Sequence, residues 1–237
     1  LDQIPAPSDA DVAARTERAP MQRDDRREFL RRFLPGLIAL FVVYLLLTAF
    51  RDFRDNYGIE IFKELGEAGT TALFARTEVP VAFGVMVTMS LLSLVKDNRR
   101  GLSAIFGIMT VGFLLLAIST YLLDRGIIGG LGWMMMLGLG SYLAYVPYNS
   151  VLFDRLIAHT RVVGTAVFAI YVADALGYTG SIGVQLYRDL FAGDHSRLVF
   201  FRVFTYITSA LGLVSTIGAA AYFLRHEPAV DKLSARS

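Results

Sequence analysis

Two arginines interleaved with two carboxylates offer the clearest binding chemistry in this sequence. Arg51, Asp52, Arg54 and Asp55 directly follow the apolar run 33–50, with no glycine or proline between them. A helix that begins with this run reaches Arg51 after about 27 Å, so Arg51 is predicted to lie in the outer part of a membrane rather than in a loop. There a guanidinium can hold a carboxylate or phosphate through two parallel hydrogen bonds. The alternative is a self-neutralising cluster at the membrane surface, and Arg54, nearer that surface, fits this second role better.

Two later apolar segments carry polar stripes with a spacing of three or four residues, which places each stripe on one helical face. The first stripe contains Ser141, Tyr142, Tyr145, Tyr148 and Asn149, and the second contains Tyr171, Asp174, Tyr178, Ser181 and Gln185. Such stripes line either a water-filled cavity or the contacts between packed helices. A carboxylate at the middle of a membrane helix is costly, so Asp174 is predicted to face a cavity and to be ion-paired or proton-carrying.

These patterns together predict a site for a small solute. Its candidate residues are Arg51, Arg54, Asn56, Tyr145, Tyr148, Asn149, Tyr171, Asp174 and Tyr178. The sequence has no cysteine, no Gly-rich phosphate loop, no histidine pair at metal-ligand spacing and no nucleophile elbow. It therefore predicts a protein that is not an enzyme, without catalytic residues, a metal site or a cofactor.

The elements that must position these residues are membrane helices. Apolar residues make up 54% of the 237 positions and charged residues 19%, so a lipid bilayer is the expected surrounding of most of the chain. Six apolar runs are long enough to cross it, namely 33–50, 79–95, 102–123, 127–153, 162–187 and 198–224. The fold class predicted is all-α, a polytopic six-helix transmembrane bundle. A net charge of +2 argues against a nucleic-acid partner.

The polar ends and the basic residues predict the domain organisation and the topology. Residues 1–28 are expected to be a disordered cytoplasmic linker, 29–226 the transmembrane domain, and 227–237 a cytoplasmic tail. Because the chain begins at Leu1 rather than Met, we expect it to start inside a longer gene product. Basic clusters flank the first run and fill the loops near Lys96 and Arg155, which predicts a multi-pass protein of the inner membrane with both termini cytoplasmic.

Two loop motifs resemble one half of a major facilitator superfamily transporter. The basic loop 96–101 looks like the cytoplasmic loop between the second and third helices of such a half. The stretch 154–166, with Asp154-Arg155 and Arg161-Val-Val-Gly-Thr-Ala, is similar to the pattern at the turn from the fourth to the fifth helix. The resemblance implies that the first, second, fourth and fifth helices line a cavity and that the third and sixth lie outside. In this sequence the third and sixth runs are the most uniformly apolar.

More narrowly, the runs 51–56, 144–149 and 173–174 look like a bacterial branch named domain of unknown function 5690. The spacing from Arg51 to Lys63-Glu64 also looks like that of the organophosphate/phosphate antiporters, in which an arginine holds the substrate phosphate. The resemblance implies the carboxyl-terminal half of an alternating-access transporter for a small anionic organic solute, incomplete without an amino-terminal six-helix half. The alternative is a membrane receptor or assembly subunit that keeps the fold without transport, with its polar stripes closed by mutual hydrogen bonds.

Overall fold

The structure is a computed structural model that describes residues 23–160, 166–191 and 196–225. Every regular element within these ranges is helical, which confirms the predicted all-α class. The helices are α1 (Arg23–Glu64), α2 (Thr71–Ser93), α3 (Asn98–Asp124), α4 (Gly130–Pro147), α5 (Phe153–Thr160), α6 (Ala166–Phe191) and α7 (Arg197–Arg225). A five-residue π-helical turn, Tyr148–Leu152, joins α4 to α5.

Five of these helices, α1, α2, α3, α6 and α7, are long and apolar enough to cross a membrane by their length and composition. The fourth predicted segment, 127–153, differs from the expectation because it is not one regular helix. Proline has no N–H to donate to the preceding turn, and α4 accordingly ends at Pro147, where the π turn takes over. The chain therefore has the composition and the helices of a membrane protein.

The first helix is unbroken over 42 residues. At 1.5 Å per residue it is about 63 Å long, well beyond the thickness of a bilayer. It begins at Arg23, so residues 23–28 are helical although the sequence suggested a domain boundary after 28. The helix also continues through Arg51 and Arg54 to Glu64, as the absence of a helix breaker predicted. The rest of the expected linker and the tail 227–237 lie outside the described residues.

The long helices form two layers. One, here called the front layer, has the order α2, α4, α1, α6, because α2 packs mainly on α4, α4 contacts α1, and α1 packs along α6. The other, the back layer, contains α3 and α7, which pack on each other and on α4 and α1. The backbones of α3 and α4 approach each other closely at Gly112. A Cβ added there would lie only 2.5 Å from the carbonyl oxygen of Gly140, so only glycine fits at this position.

Side-chain register shows that successive long helices alternate in direction. Tyr44 of α1 contacts Tyr145 of α4, whereas Arg54, further along α1, contacts Met134, which comes earlier in α4. These two helices are therefore antiparallel. Tyr44 of α1 contacts Asp174 of α6, and Tyr57, further along α1, contacts Asp189, further along α6. The two helices are therefore parallel.

Each end of the bundle is fastened by one polar side chain. At one end, here called the Glu64 end, the Glu64 carboxylate accepts hydrogen bonds from the backbone N–H groups of Arg197 and Leu198, both at 3.1 Å, and so caps the start of α7. At the other end, Arg155 donates to the carbonyl oxygens of Val95 and Lys96 at 2.8 and 3.1 Å. These contacts join α1 to α7 and α5 to the loop after α2.

Candidate functional site

Arg51 lies on the open face of the front layer. Its guanidinium carbon stands 4.2 Å from the ring centroid of Tyr145 on α4, and its Nη2 donates to Asp52 at 3.0 Å. The side chains of Arg51 and Asp52 retain 19% and 24% of their exposure. The stacking and the ion pair fix the direction of the guanidinium while leaving it accessible.

Arg54, in contrast, is completely buried between α1, α2 and α4. Its guanidinium donates to Glu78 at 2.5 Å, to Asp55 at 3.3 Å and to the carbonyl oxygen of Met134 at 3.1 Å. A Cβ at Gly138 would lie 2.6 Å from its Nη2, so the glycine makes room for it. The expected position in a surface salt bridge is therefore wrong: Arg54 ties three helices together inside the protein.

Asp174 is held by a tyrosine pair at the centre of the front layer. The Tyr44 hydroxyl donates to Asp174 Oδ1 at 2.5 Å and lies 3.3 Å from the Tyr145 hydroxyl. α6 approaches α1 closely here, because a Cβ at Gly177 would lie 2.9 Å from the Tyr44 ring. Asp174 is only partly buried and faces the same open side as Arg51.

A second set of hydrogen bonds continues along α1 and α6. Ser181 donates to Asp52 at 2.7 Å, Gln185 donates to Ser181 at 3.1 Å, and Asn56 donates to Gln185 at 3.0 Å. With the Arg51 and Asp174 contacts, they form a continuous row, here called the polar seam. Its members are Tyr44, Arg51, Asp52, Asn56, Tyr145, Asp174, Ser181 and Gln185.

The other predicted site residues lie around the polar seam rather than in it. Tyr148 is buried, stacks on Tyr44 at 4.8 Å and donates to the carbonyl oxygen of Leu40 at 3.0 Å, so it supports the seam from behind. Tyr171 and Tyr178 are 69% and 57% exposed, on the α6 face that carries Asp174. Asn149 is exposed in the π turn.

Five seam or support residues were missing from the predicted site, namely Tyr44, Asp52, Glu78, Ser181 and Gln185, although the last two belong to the predicted polar stripe of α6. Tyr44 lies inside an apolar run, where a tyrosine does not by itself indicate a binding site. Asp52 and Glu78 have the sequence surroundings of surface charges. A signal was present for the first two, since Tyr44 precedes Arg51 by seven residues and Asp52 by eight, which places all three on one side of a helix. Glu78 gave no such signal, because its contact with Arg54 depends on how α2 packs.

A bundle with five apolar helices of membrane-spanning length, which carries a polar seam on one open face, belongs to the class of polytopic α-helical membrane proteins. Within that class the chain is a member of the family of unknown function DUF5690, whose model matches residues 1–226. No curated protein and no solved structure matches the chain.

Proposed function

We propose that this six-helix bundle is one half of a membrane transporter that moves a small anionic organic solute by alternating access. The observation that carries the proposal is the accessible guanidinium of Arg51, stacked on Tyr145 within the polar seam. The front layer is the surface that a second six-helix unit would face, and the solute would cross between the two units. By itself the bundle is not expected to transport.

The depth of the polar seam supports a transport role. Asp174 and Ser181 lie within the central part of α6, which spans Ala166–Phe191. A charged side chain at the centre of a membrane helix costs about 2.5–3.5 kcal/mol on insertion scales, and such residues usually face the bundle interior or a water-filled cavity. The seam faces the open side of the front layer, where a water-filled cavity would solvate it.

The chemistry of Arg51 supports an anionic solute. Its bond to Asp52 engages Nη2, and a guanidinium carries five N–H donors in a planar fork. A carboxylate or phosphate approaching from the open face can take two parallel hydrogen bonds and relieve the ion pair with Asp52. Lysine offers only a point charge in the same position.

Binding by the purified full-length protein tests this assignment. A panel of small phosphate and carboxylate anions, compared with neutral analogues, is screened by thermal stabilisation. We expect an anion that stabilises the parent to bind at least about tenfold more weakly to Arg51→Ala, and nearly as weakly to Arg51→Lys, because loss of one charge-assisted bidentate contact is worth about 1.5–3 kcal/mol. Arg76→Ala, which removes an exposed arginine from α2, is the matched control. If Arg51→Ala binds the anion as tightly as the parent, Arg51 is not the recognition group.

One observation favours a second candidate, a non-transporting receptor or assembly subunit. The seam residues hydrogen-bond to one another, as a closed polar core would require. Against it, Arg51 and Asp52 remain partly exposed, and Tyr171 and Tyr178 project from the same face. The accessibility of that face to water separates the two candidates.

A further inference from the structure

An apolar groove of about 730 Å³ runs between α6 and α7, on the side of α6 turned away from the polar seam. Its floor includes Phe200 and Phe204 of α7, and its α6 wall includes Gly183, Tyr187 and Phe191. Glycines at 180 and 183 remove side chains from that wall. The groove is lined by apolar and aromatic residues and does not touch any residue proposed to bind the solute.

The dimensions of the groove match one leaflet of a bilayer. On α6 it extends from Gly180, near the middle of the helix, to Phe191 at its end, which corresponds to about 16 Å of helix. Half of a hydrocarbon core about 30 Å thick is about 15 Å. Because α6 and α7 both have the length and composition of membrane-spanning helices, the groove opens onto the lipid tails of that leaflet.

An acyl chain suits the groove better than a helix does. A helix with side chains is about 10 Å or more across. A single acyl chain is much narrower and fits along the groove. Inside the groove its methylenes would lie in van der Waals contact with the aromatic rings of Phe200 and Phe204.

A cationic side chain, Arg197, lies beside the groove at the Glu64 end, two residues before the lining residue Val199. Arg197, Phe200 and Phe204 are three and four residues apart, so Arg197 lies on the same face of α7 as the groove floor. Its guanidinium stacks over Tyr57, 5.1 Å from the ring centroid, and its buried Nε has no hydrogen-bond acceptor among the described residues. Arginine and aromatic residues at this depth are where lipid phosphates are found.

From these features we infer that the α6–α7 groove is a phospholipid-binding site, with one acyl chain along Phe200 and Phe204 and the lipid phosphate at Arg197. The site is independent of the transport proposal, since a receptor with the same fold would present the same groove.

The test is the affinity of the purified full-length protein in detergent for dioleoyl phosphatidylglycerol, measured by native mass spectrometry. Gly183→Leu should fill the groove, because a Cβ at Gly183 meets no atom within 4 Å. A leucine there displaces about two methylenes of the lipid chain and should weaken binding about tenfold. Gly218→Leu is the matched control, since Gly218 is an exposed glycine of α7 with equally open surroundings that does not line the groove.

Two further arms test the position of the phosphate. Arg197→Gln should weaken binding of phosphatidylglycerol, Arg197→Lys should largely restore it, and dioleoylglycerol, which lacks the phosphate, should bind weakly to the parent. The inference is overturned if Gly183→Leu binds the phospholipid as the parent does, or if Gly218→Leu loses as much affinity. It is also overturned if the parent binds no lipid because another protein segment fills the groove. If Arg197→Gln binds phosphatidylglycerol as tightly as the parent does, Arg197 does not bind the lipid phosphate.

Discussion

At the scale of single residues, Arg51 and Arg54 lie three residues apart on one helix but have different surroundings, one accessible and one buried. Arg51 points to the open face and stacks on Tyr145, whereas Arg54 points into the contact of α1 with α2 and α4. The sequence places both guanidiniums on an unbroken helix, and that much is confirmed. Which one is buried depends on the position of Glu78, and side-chain spacing along α1 carries no information about α2.

Removal of Arg54 is expected to destabilise the protein strongly. Arg54→Ala removes a fully buried guanidinium that donates to Glu78 and to the carbonyl oxygen of Met134, and loss of a hydrogen bond from a charged group costs about 1.5–3 kcal/mol. Arg76→Ala, at an exposed position, should change the free energy of unfolding by no more than about 0.5 kcal/mol. Unfolding by SDS titration from mild detergent micelles measures both. A loss for Arg54→Ala no larger than that of Arg76→Ala would show that the buried cluster contributes little.

Asp174 is expected to carry a proton during transport. None of the ion pairs between described residues involves Asp174, whose hydrogen bond comes from the Tyr44 hydroxyl, so of the two predicted roles the proton-carrying one is the one to test. Asp174→Asn keeps a carbonyl acceptor for Tyr44 but cannot titrate, so uptake by the full-length protein should lose its pH dependence while the fold is retained. Asp189→Asn, which alters the Tyr57 partner at the Glu64 end, is the control. Unchanged uptake and pH dependence in Asp174→Asn would rule out a coupling role.

At the scale of elements, the sequence predicted five of the long helices and the polar faces of α4 and α6 because hydrophobic periodicity depends only on local spacing. It predicted the fourth segment as one long helix because Pro147 was treated as part of a polar stripe rather than as a helix end. The layer order could not be derived from periodicity. The packing of one layer on the other depends on glycine contacts such as Gly112 against Gly140, and a glycine in an apolar segment has the same appearance in the sequence whether it is packed or exposed.

The glycine contact between α3 and α4 gives a matched pair of substitutions. Gly112→Ala should destabilise the bundle by about 1–3 kcal/mol, because the new Cβ would lie 2.5 Å from the backbone oxygen of Gly140, which cannot move without the helix. Gly107→Ala, on the same helix, meets no atom within 4 Å and should be neutral or slightly stabilising through helix propensity. Thermal unfolding in detergent compares them. Equal effects would mean that α3 and α4 are not in the close contact described here.

At the scale of the whole molecule, the front layer carries the polar seam along its centre, between flanks that expose apolar side chains such as Phe83 and Ile182. The back layer exposes apolar side chains such as Val111 and Val214. The separation of α3 and α7 from the other long helices matches the grouping that the transporter resemblance implied, and the lining of a cavity by the front layer stays a prediction. A front layer that lines a water-filled cavity fits transport, and one sealed by its own hydrogen bonds fits a receptor or an assembly subunit. The central claim is that water reaches the polar seam.

Cysteine labelling of the full-length protein in vesicles tests that claim most directly, since these 237 residues contain no cysteine. Tyr178→Cys places a thiol on the open α6 face, and Val214→Cys places one on the exposed apolar face of α7. Because a maleimide reacts with the hydrated thiolate, we predict that a membrane-impermeant maleimide labels the cysteine at position 178 at least about tenfold faster than the one at position 214, and that a bound organic anion slows the reaction at 178. Equal, slow labelling of both positions would show that the front layer is closed to water and would contradict the transporter assignment.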